Sequence, residues 1–497
     1  MKKKLLLILA ALPLLNANLL NAQNLPKGFS IQKVCDLQSA TCEVFAPDGR
    51  IFIGEQDGRV LIVEKDKLLA EPAITIPNVE SIAEKGLLGM AIDPDFNNNK
   101  YLYVFYTRVG PGFSYDLVLD RYTINGNKGE EKTEILFMGT VNNRWEIWNH
   151  NGGGIRFGND GKLYIAVGYN DQDARIQDLN SYLSKIIRIN KDGSAPTDNP
   201  YYSENGSNAS KRIYAYGLRN PFTLHFLKNT TNTMLVTDVS TSPPNGREEI
   251  NFLETGGKDL GFPNYNGVSG DESVLDPIFT YNTTDQNSNT VETINGCAIT
   301  GATTFYPENS NYPSEYKNKI FFMDFCNGWM SYLTLDGNTV TRKPFATGLG
   351  KFGKGSGHLG LEEGVDGNLY FITRFTRTPE QNTSLQGNID PQAKAVLNRI
   401  VFDASVSVEE SNRLLLNCTV QPNPASTVFS VNLISDNSSQ CDVKIYDVLG
   451  KLKQSNNFQV NMGENEFDID INSLSKGTYM ISIKNDNRFA NKKLVVE

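Results

Sequence analysis

The chain has 497 residues, with 47 Lys and Arg against 56 Asp and Glu, a formal net charge of -9 and 39% apolar residues. That length predicts more than one domain. The acidic balance argues against nucleic acid as a partner.

Residues 1–22, MKKKLLLILAALPLLNANLLNA, carry a basic tip, an apolar run and a small-residue end. This is the pattern of a secretory signal peptide, with cleavage expected after Ala22. The apolar core is short for a membrane span and is interrupted by Pro13, Asn16 and Asn18. No later run reads as transmembrane, so the mature chain is expected to be soluble, acidic and extracytoplasmic.

From about residue 31 to residue 403 the pattern is β throughout. Short runs of Ile, Val, Phe and Tyr alternate with turns of Asp, Asn and Gly. One phrase recurs: a strand, a turn, then an aromatic and branched strand. It appears as APDGRIFIGEQDGRVLIVE over 46–64, IDPDFNNNKYLYVFYT over 92–107 and FGNDGKLYIAVG over 157–168. It returns in IYAYGLRNPFTLHF with MLVTDV, in ITGATTFYP with KIFFMDFCNGWMSYLTLDG, and in LEEGVDGNLYFITRF with LNRIVF. Six such units predict an all-β, six-bladed β-propeller over 31–403, with roughly 60 residues per unit and hence long loops. A sandwich or two stacked β domains is the alternative. Residues 404–414 read as a polar linker. Residues 415–497 alternate apolar and polar in TVFSVNLI, CDVKIYDVLGKLKQ, EFDIDIN and GTYMISIKN, which predicts a small β-sandwich that folds on its own.

Six cysteines in an exported chain point to disulfides. Position suggests Cys35 with Cys42, Cys297 with Cys326, and Cys418 with Cys441; the alternative is that some are free and buried. Of the three histidines, His225 and His358 are isolated and give no zinc-like spacing. His150 stands between Asn149 and Asn151, after Trp145 and Trp148 and before Gly152, Gly153 and Gly154. Glycines there permit close backbone approach to a flat ligand. A neutral imidazole suits proton removal near neutral pH. The competing reading is a loop histidine that caps a turn.

The phrases GLLGMAIDPDFNNNKYLYVFYT, HNGGGIRFGNDGKLYIAVG, QDLNSYLSKIIRINKDGSAPTDNP, YAYGLRNP, REEINFLETGGKDLGFP and CAITGATTFYP, with FFMDFCNG, resemble the soluble glucose/sorbosone dehydrogenase family. These are six-bladed propellers that use pyrroloquinoline quinone (PQQ) and calcium. The resemblance implies a secreted aldose dehydrogenase that oxidises the sugar C1 hydroxyl, with His150 as general base and hydride passing to the quinone. It implies Arg219 and Asn220 as cofactor contacts, since a guanidinium fork suits the carboxylates of PQQ. Glu84 takes the place of a polar residue, often Gln, that touches the quinone. Pro243 and Pro244 stand where backbone carbonyls meet the cofactor's calcium. Glu248 and Glu249 stand where a second calcium is held, with Leu260 where a tyrosine gives its carbonyl.

Two departures accompany the resemblance and remove up to three cofactor cations. A family lysine is replaced in the loop holding Cys326 and Asn327, and an Arg-x-Arg pair by Gly357, His358 and Leu359. Lys351, Lys354, Arg374 and Arg377 are the nearby cations that could substitute. Relatives resembling hedgehog-interacting protein share the EEIN phrase without being established sugar oxidisers. The alternative function is therefore a non-catalytic, calcium-stabilised propeller that binds a glycan or a protein. The C-terminal segment, through PNPA, KIYDVLGK, INSLSKGTYMISI and KKLVV, resembles the type A sorting domain of the type IX secretion system. That resemblance implies export through the periplasm of a Gram-negative bacterium to the cell surface or medium, with the secretion machinery as partner.

Overall fold

The recurring Asp-containing turns fix the strand ends. Asp48, Asp57, Asp160 and Asp366 each accept, through Oδ1, the amide of the residue two positions on, at 3.0–3.2 Å. Each closes a tight reversal between antiparallel strands. The computed structural model describes residues 24–142, 150–171, 173–228, 230–239, 241, 246–283, 295–337, 339–349, 357–375, 394–404, 414–416, 418–435, 437–447, 451–485 and 488–497. The expected signal peptide, Trp145, Trp148, Asn149, Pro243, Pro244, Lys351, Lys354 and Arg377 lie outside these residues.

The chain divides into two units, Met1–Ala404 and Ser405–Glu497. The first is the expected six-bladed propeller. From the axis outward, blade 1 runs Ala40–Phe45, Ile51–Glu55, Arg59–Glu64 and Lys67–Leu68. Blade 2 runs Leu87–Ile92, Tyr101–Val109, Tyr115–Asn125 and Lys128–Val141. Blade 3 runs Gly152–Phe157, Leu163–Val167, Lys185–Ile189 and Ile213–Tyr216, and blade 4 Pro221–Phe226, Met234–Asp238, Arg247–Leu253 and Phe279–Thr283. Blade 5 runs Ile299–Phe305, Lys319–Asp324, Met330–Asp336 and Thr339–Ala346. Blade 6 takes three strands, Gly357–Glu363, Leu369–Phe375 and Lys394–Phe402, from the end of the unit. Its outer strand, Phe29–Leu37, comes from the beginning and closes the ring.

Each blade packs both faces against neighbours, so its middle strands are buried on both sides and read as unbroken apolar runs. Leu163–Val167 shows how one strand serves two cores. Leu163, Ile165 and Val167 pack against Tyr103, Phe105 and Leu119 of blade 2. Tyr164 and Ala166 face the other way, against Leu224, Phe226 and Val236 of blade 4. The seam between blades 6 and 1 is filled by Leu359, Ile372 and Leu397 against Ile51, Ile53 and Val63.

The second unit is a small sandwich. Arg488–Val496, Gly477–Asn485, Ser439–Asp447 and Leu452–Val460 pair in one sheet, and Cys418–Gln421, Val428–Ser435 and Gly463–Asp470 in the other. Phe429, Val431 and Leu433 meet Val443, Ile445, Ile481 and Ile483 in its core. Among the described residues no helix is long and apolar enough to cross a membrane.

One of the three suggested disulfides is formed, Cys297–Cys326, with Cα atoms 5.9 Å apart. The other four cysteines are free. Closeness in sequence misleads for Cys35 and Cys42. Cys35 belongs to the outer strand of blade 6 and Cys42 to the innermost strand of blade 1. Cys418 and Cys441 lie on opposite sheets of the sandwich, both buried in its core.

Candidate active site

The candidate residues sit where the chain enters the innermost strands of successive blades. Glu84 precedes Leu87–Ile92, His150 precedes Gly152–Phe157, and Arg219 with Asn220 precedes Pro221–Phe226. Entry points of neighbouring innermost strands share one rim of the propeller, and hydrogen bonds join them. The Asn220 side chain accepts the Gly152 amide at 2.8 Å and donates to Glu84 Oε2 at 3.3 Å.

His150 is nearly buried and takes a left-handed backbone, φ 43°, a conformation a non-glycine residue holds only when its surroundings enforce it. Here its carbonyl accepts the Asn170 amide, and the Asn151 carbonyl accepts the Gly168 amide. Gly152 follows at φ +76°. A Cβ there would stand 2.4 Å from the Ala166 carbonyl oxygen, so the strand can begin only with glycine.

The imidazole has a partner on each nitrogen. Nδ1 is 2.9 Å from Asp171 Oδ1, and Nε2 is 2.8 Å from Arg219 Nη2. A carboxylate only accepts and a guanidinium only donates. The neutral ring therefore carries its proton on Nδ1 and presents the Nε2 lone pair to the rim. The ring stacks on Tyr169, centroids 5.2 Å apart. Burial works against the Asp171 charge, but hydrogen bonds from His150 and Tyr169 outweigh it and hold the carboxyl below its usual range.

Arg219 is anchored behind the site. Its Nη1 donates to the Val239 carbonyl at 3.0 Å, and its guanidinium carbon lies 5.8 Å from the Tyr169 ring centroid. The backbone amides of Arg219 and Asn220 both donate to Asp238, at 2.8 and 2.7 Å. Asp238 stands opposite Glu249 in the blade 4 ladder. Burial raises both carboxyls, and the charge of Asp238 adds to the rise of Glu249.

Strand alternation separates the two glutamates of REEIN. Glu248 accepts the Ile299 amide at 2.8 Å, toward blade 5. Glu249 accepts the Gly267 amide at 2.6 Å and an Asn251 side-chain N–H at 3.3 Å. Asn251 Oδ1 is buried without a hydrogen-bond partner. Two buried carboxylates and an orphaned amide oxygen on one face make a hard-oxygen set that suits calcium. Leu260 is buried, its amide bonded to the Tyr216 carbonyl at 2.9 Å.

The departures from the family pattern have structural explanations. Cys326 is consumed by the disulfide with Cys297. His358 is fully buried and burial pushes it down to about 3, so it carries no charge near neutral pH. Arg374, opposite Gly357 in the blade 6 ladder, is a cation in that neighbourhood. It is buried and donates to Gln56 Oε1 at 2.6 Å; burial pulls it down to about 10, leaving it charged at neutral pH. Lys85, next to Glu84, is buried with its ammonium 5.1 Å from the Tyr115 ring centroid. The Tyr115 hydroxyl donates to Asn170, which bonds the His150 carbonyl. The guanidinium of Arg219 and the amide of Asn220 fit an anionic, carboxylate-bearing cofactor such as PQQ.

Sequence reasoning missed Asp171, Tyr169, Asp238 and Lys85. Asp171 stood in plain view as a polar residue just past the apolar strand Leu163–Val167. Asp238 ends the apolar run MLVTD, where a buried carboxylate signals a dedicated partner.

The six-bladed propeller is the fold of the solved sugar dehydrogenase structures on which the chain superposes. Residues 39–378 match the glucose/sorbosone dehydrogenase family model, and the chain belongs to that family. Residues 419–497 match the secretion system C-terminal sorting domain. Quinoprotein glucose dehydrogenase B of Acinetobacter calcoaceticus is 30% identical over 256 residues, 46% of this chain and 51% of that protein. The chain thus spans about half of that relative's length. Aldose sugar dehydrogenase YliI of Escherichia coli (strain K12) is 26% identical over 349 residues, 66% of this chain and 85% of that protein. The PQQ-bound aldose sugar dehydrogenase of Streptomyces coelicolor superposes with a TM-score of 0.55 at 20% identity, over 76% of this chain and 100% of that one, a likeness of fold.

Proposed function

We propose that this chain is a secreted, PQQ- and calcium-dependent aldose dehydrogenase. The observation that carries the reading is the polarised imidazole: Asp171 on Nδ1 and a lone pair at Nε2 facing Arg219. His150 Nε2 accepts the proton of the sugar C1 hydroxyl. Asp171 holds the tautomer that makes this possible and stabilises the imidazolium that results. Arg219 and Asn220 would hold the carboxylates of PQQ, and substrate reaches Nε2 only where the Arg219 guanidinium now sits. Glu249, Asp238 and Asn251 would supply oxygen ligands for calcium. When bound, PQQ supplies the acceptor for the two electrons leaving C1. Export runs through the periplasm of a Gram-negative bacterium by way of the type IX machinery, which reads the sorting domain.

The test is titration of the purified chain with PQQ in the presence of calcium, followed by an aldose panel with a dye acceptor. Saturable binding and sugar-dependent dye reduction are expected. Absence of binding at micromolar PQQ would overturn the assignment. It would favour a glycan- or protein-binding propeller, a reading supported by the loss of the lysine to the Cys297–Cys326 disulfide and by the neutral, buried His358.

A further inference from the structure

Below the rim, the innermost strands line a cavity of about 60 Å³ on the propeller axis. Glu43, Arg156, His225 and Glu362 border it, one each from blades 1, 3, 4 and 6. Three of them contact one another, although Arg156 Nε is buried without a hydrogen-bond partner. Arg156 Nη2 donates to Glu362 Oε1 and lies 3.3 Å from His225 Nε2. His225 Nδ1 lies 3.5 Å from the Thr303 hydroxyl. Burial, with Arg156 beside it, keeps His225 neutral.

Glu43 is different. It is 3% exposed, it borders the cavity, and neither carboxylate oxygen has a hydrogen-bond partner. Burial first, and then repulsion by Glu362, disfavour its charge. The charge of Arg156 favours an ionised Glu43 but does not outweigh what opposes it. The space it occupies is built for it. Gly360 of blade 6 adopts φ +57°, and a Cβ there would stand 2.2 Å from Glu43 Oε2. A buried carboxylate with no donor persists only if a proton or a cation neutralises it.

We propose that the axial channel binds one monovalent cation, of the sodium or potassium class, on the Glu43 carboxylate. Charge balance selects the valence. Arg156 neutralises Glu362 and burial disfavours a charge on His225, so an ionised Glu43 leaves one negative charge. A monovalent ion cancels it, whereas a divalent ion would leave a buried positive charge. Thr223 and Thr300 border the same cavity; their hydroxyls already bond Thr237 at 2.8 Å and the His358 carbonyl at 2.6 Å, so only oxygen lone pairs remain to meet an ion. The volume accommodates an ion with a water molecule. Glu43 lies on the innermost strand of the first blade and Gly360 on that of the sixth. The ion therefore sits where the innermost strands of the first and sixth blades meet, and its occupancy is readable as stability.

The experiment uses the purified full chain with calcium held constant. Sodium or potassium chloride replaces choline chloride at fixed ionic strength while the thermal midpoint is followed. A saturable rise of about 2 °C or more is expected in the wild type. Glu43→Gln, nearly isosteric and uncharged, is expected to abolish the response. Equal midpoints in choline and alkali salts, or the same response in Glu43→Gln, would overturn the proposal. Should Glu43→Gln fail to fold, wild-type crystals soaked in thallium(I) decide the matter. Anomalous density on the Glu43 carboxylate supports the site, and water alone, or an ion only with calcium, removes it.

Discussion

His150 Nδ1 and Asp171 Oδ1 lie 2.9 Å apart, and this contact, together with the Arg219 guanidinium on Nε2, decides which nitrogen of the imidazole can act. An asparagine at 171 retains the shape but can present its amide as a donor, which permits the opposite tautomer and turns the Nε2 lone pair into an N–H. Asp171→Asn is therefore expected to lower kcat by roughly 10²-fold with little change in KM, and His150→Ala to lower it further. Dye-linked aldose oxidation with matched circular dichroism spectra measures both. An unchanged kcat in Asp171→Asn would show that the tautomer is not used.

Arg219 anchors the loop through its backbone amide to Asp238, a contact that survives removal of the side chain. Arg219→Ala is thus expected to fold normally and to lose the charge-assisted hydrogen bonds to an anionic cofactor. Those are worth about 1.5–3 kcal/mol, or roughly 10- to 150-fold in the Kd for PQQ. Fluorescence quenching by PQQ at fixed calcium gives the constant. An equal Kd for wild type and variant places the cofactor elsewhere.

The fold was legible because period and turn chemistry coincide. Each Asp-Gly turn and the apolar strand beside it belong to the same blade, and the unbroken apolar runs are strands buried on two faces. The rim was legible only where a residue belongs to a recognised phrase: His150, Arg219 and Asn220 converge, with Glu84 held by Asn220. Two things were not. Asp171 is brought to His150 by a loop held through backbone bonds, from the Asn170 amide to the His150 carbonyl and from the Tyr169 amide to the Arg219 carbonyl. Sequence pattern reads periodic strands, and no periodicity encodes such a path. The adjacent Glu248 and Glu249 read as one acidic pair, yet strand alternation turns Glu248 to the Ile299 amide of blade 5 and Glu249 to the Gly267 amide on the other face.

His358 makes acid stability testable. Its pKa is about 3 in the folded protein because burial penalises the charge, against about 6.5 when exposed. Above 6.5 it is neutral in both states and costs nothing. As pH falls from 6.5 toward 3 the unfolded chain takes up a proton that the folded chain refuses, so stability is lost across that window. His358→Gln removes the titration. Its thermal midpoint is expected to fall less steeply than that of the wild type between pH 6.5 and 4, and parallel curves would refute the assignment.

The Cys297–Cys326 bond brackets a buried carboxylate. Asp324 accepts the amides of Cys297, Ala298, Cys326 and Asn327 at 2.9–3.1 Å and the Tyr281 hydroxyl at 3.0 Å. Burial still raises its carboxyl, so the charge depends on the loops keeping those amides in place. The bond joins the segment entering the innermost strand of blade 5 to the turn after its second strand, holding the two amide-bearing segments together. Replacing both cysteines by serine is expected to cost roughly 3 kcal/mol of stability. Asp324→Asn made in the double-serine background is expected to cost less than in the wild type, because the amides it addresses are already loosened. Chemical denaturation of the four variants measures the coupling, and strictly additive losses would show that the disulfide and the Asp324 network act independently. Peptide mapping of the unreduced protein is expected to recover this cross-link, with Cys35, Cys42, Cys418 and Cys441 as free thiols. A Cys418–Cys441 peptide would instead mean that the sandwich core closes by oxidation.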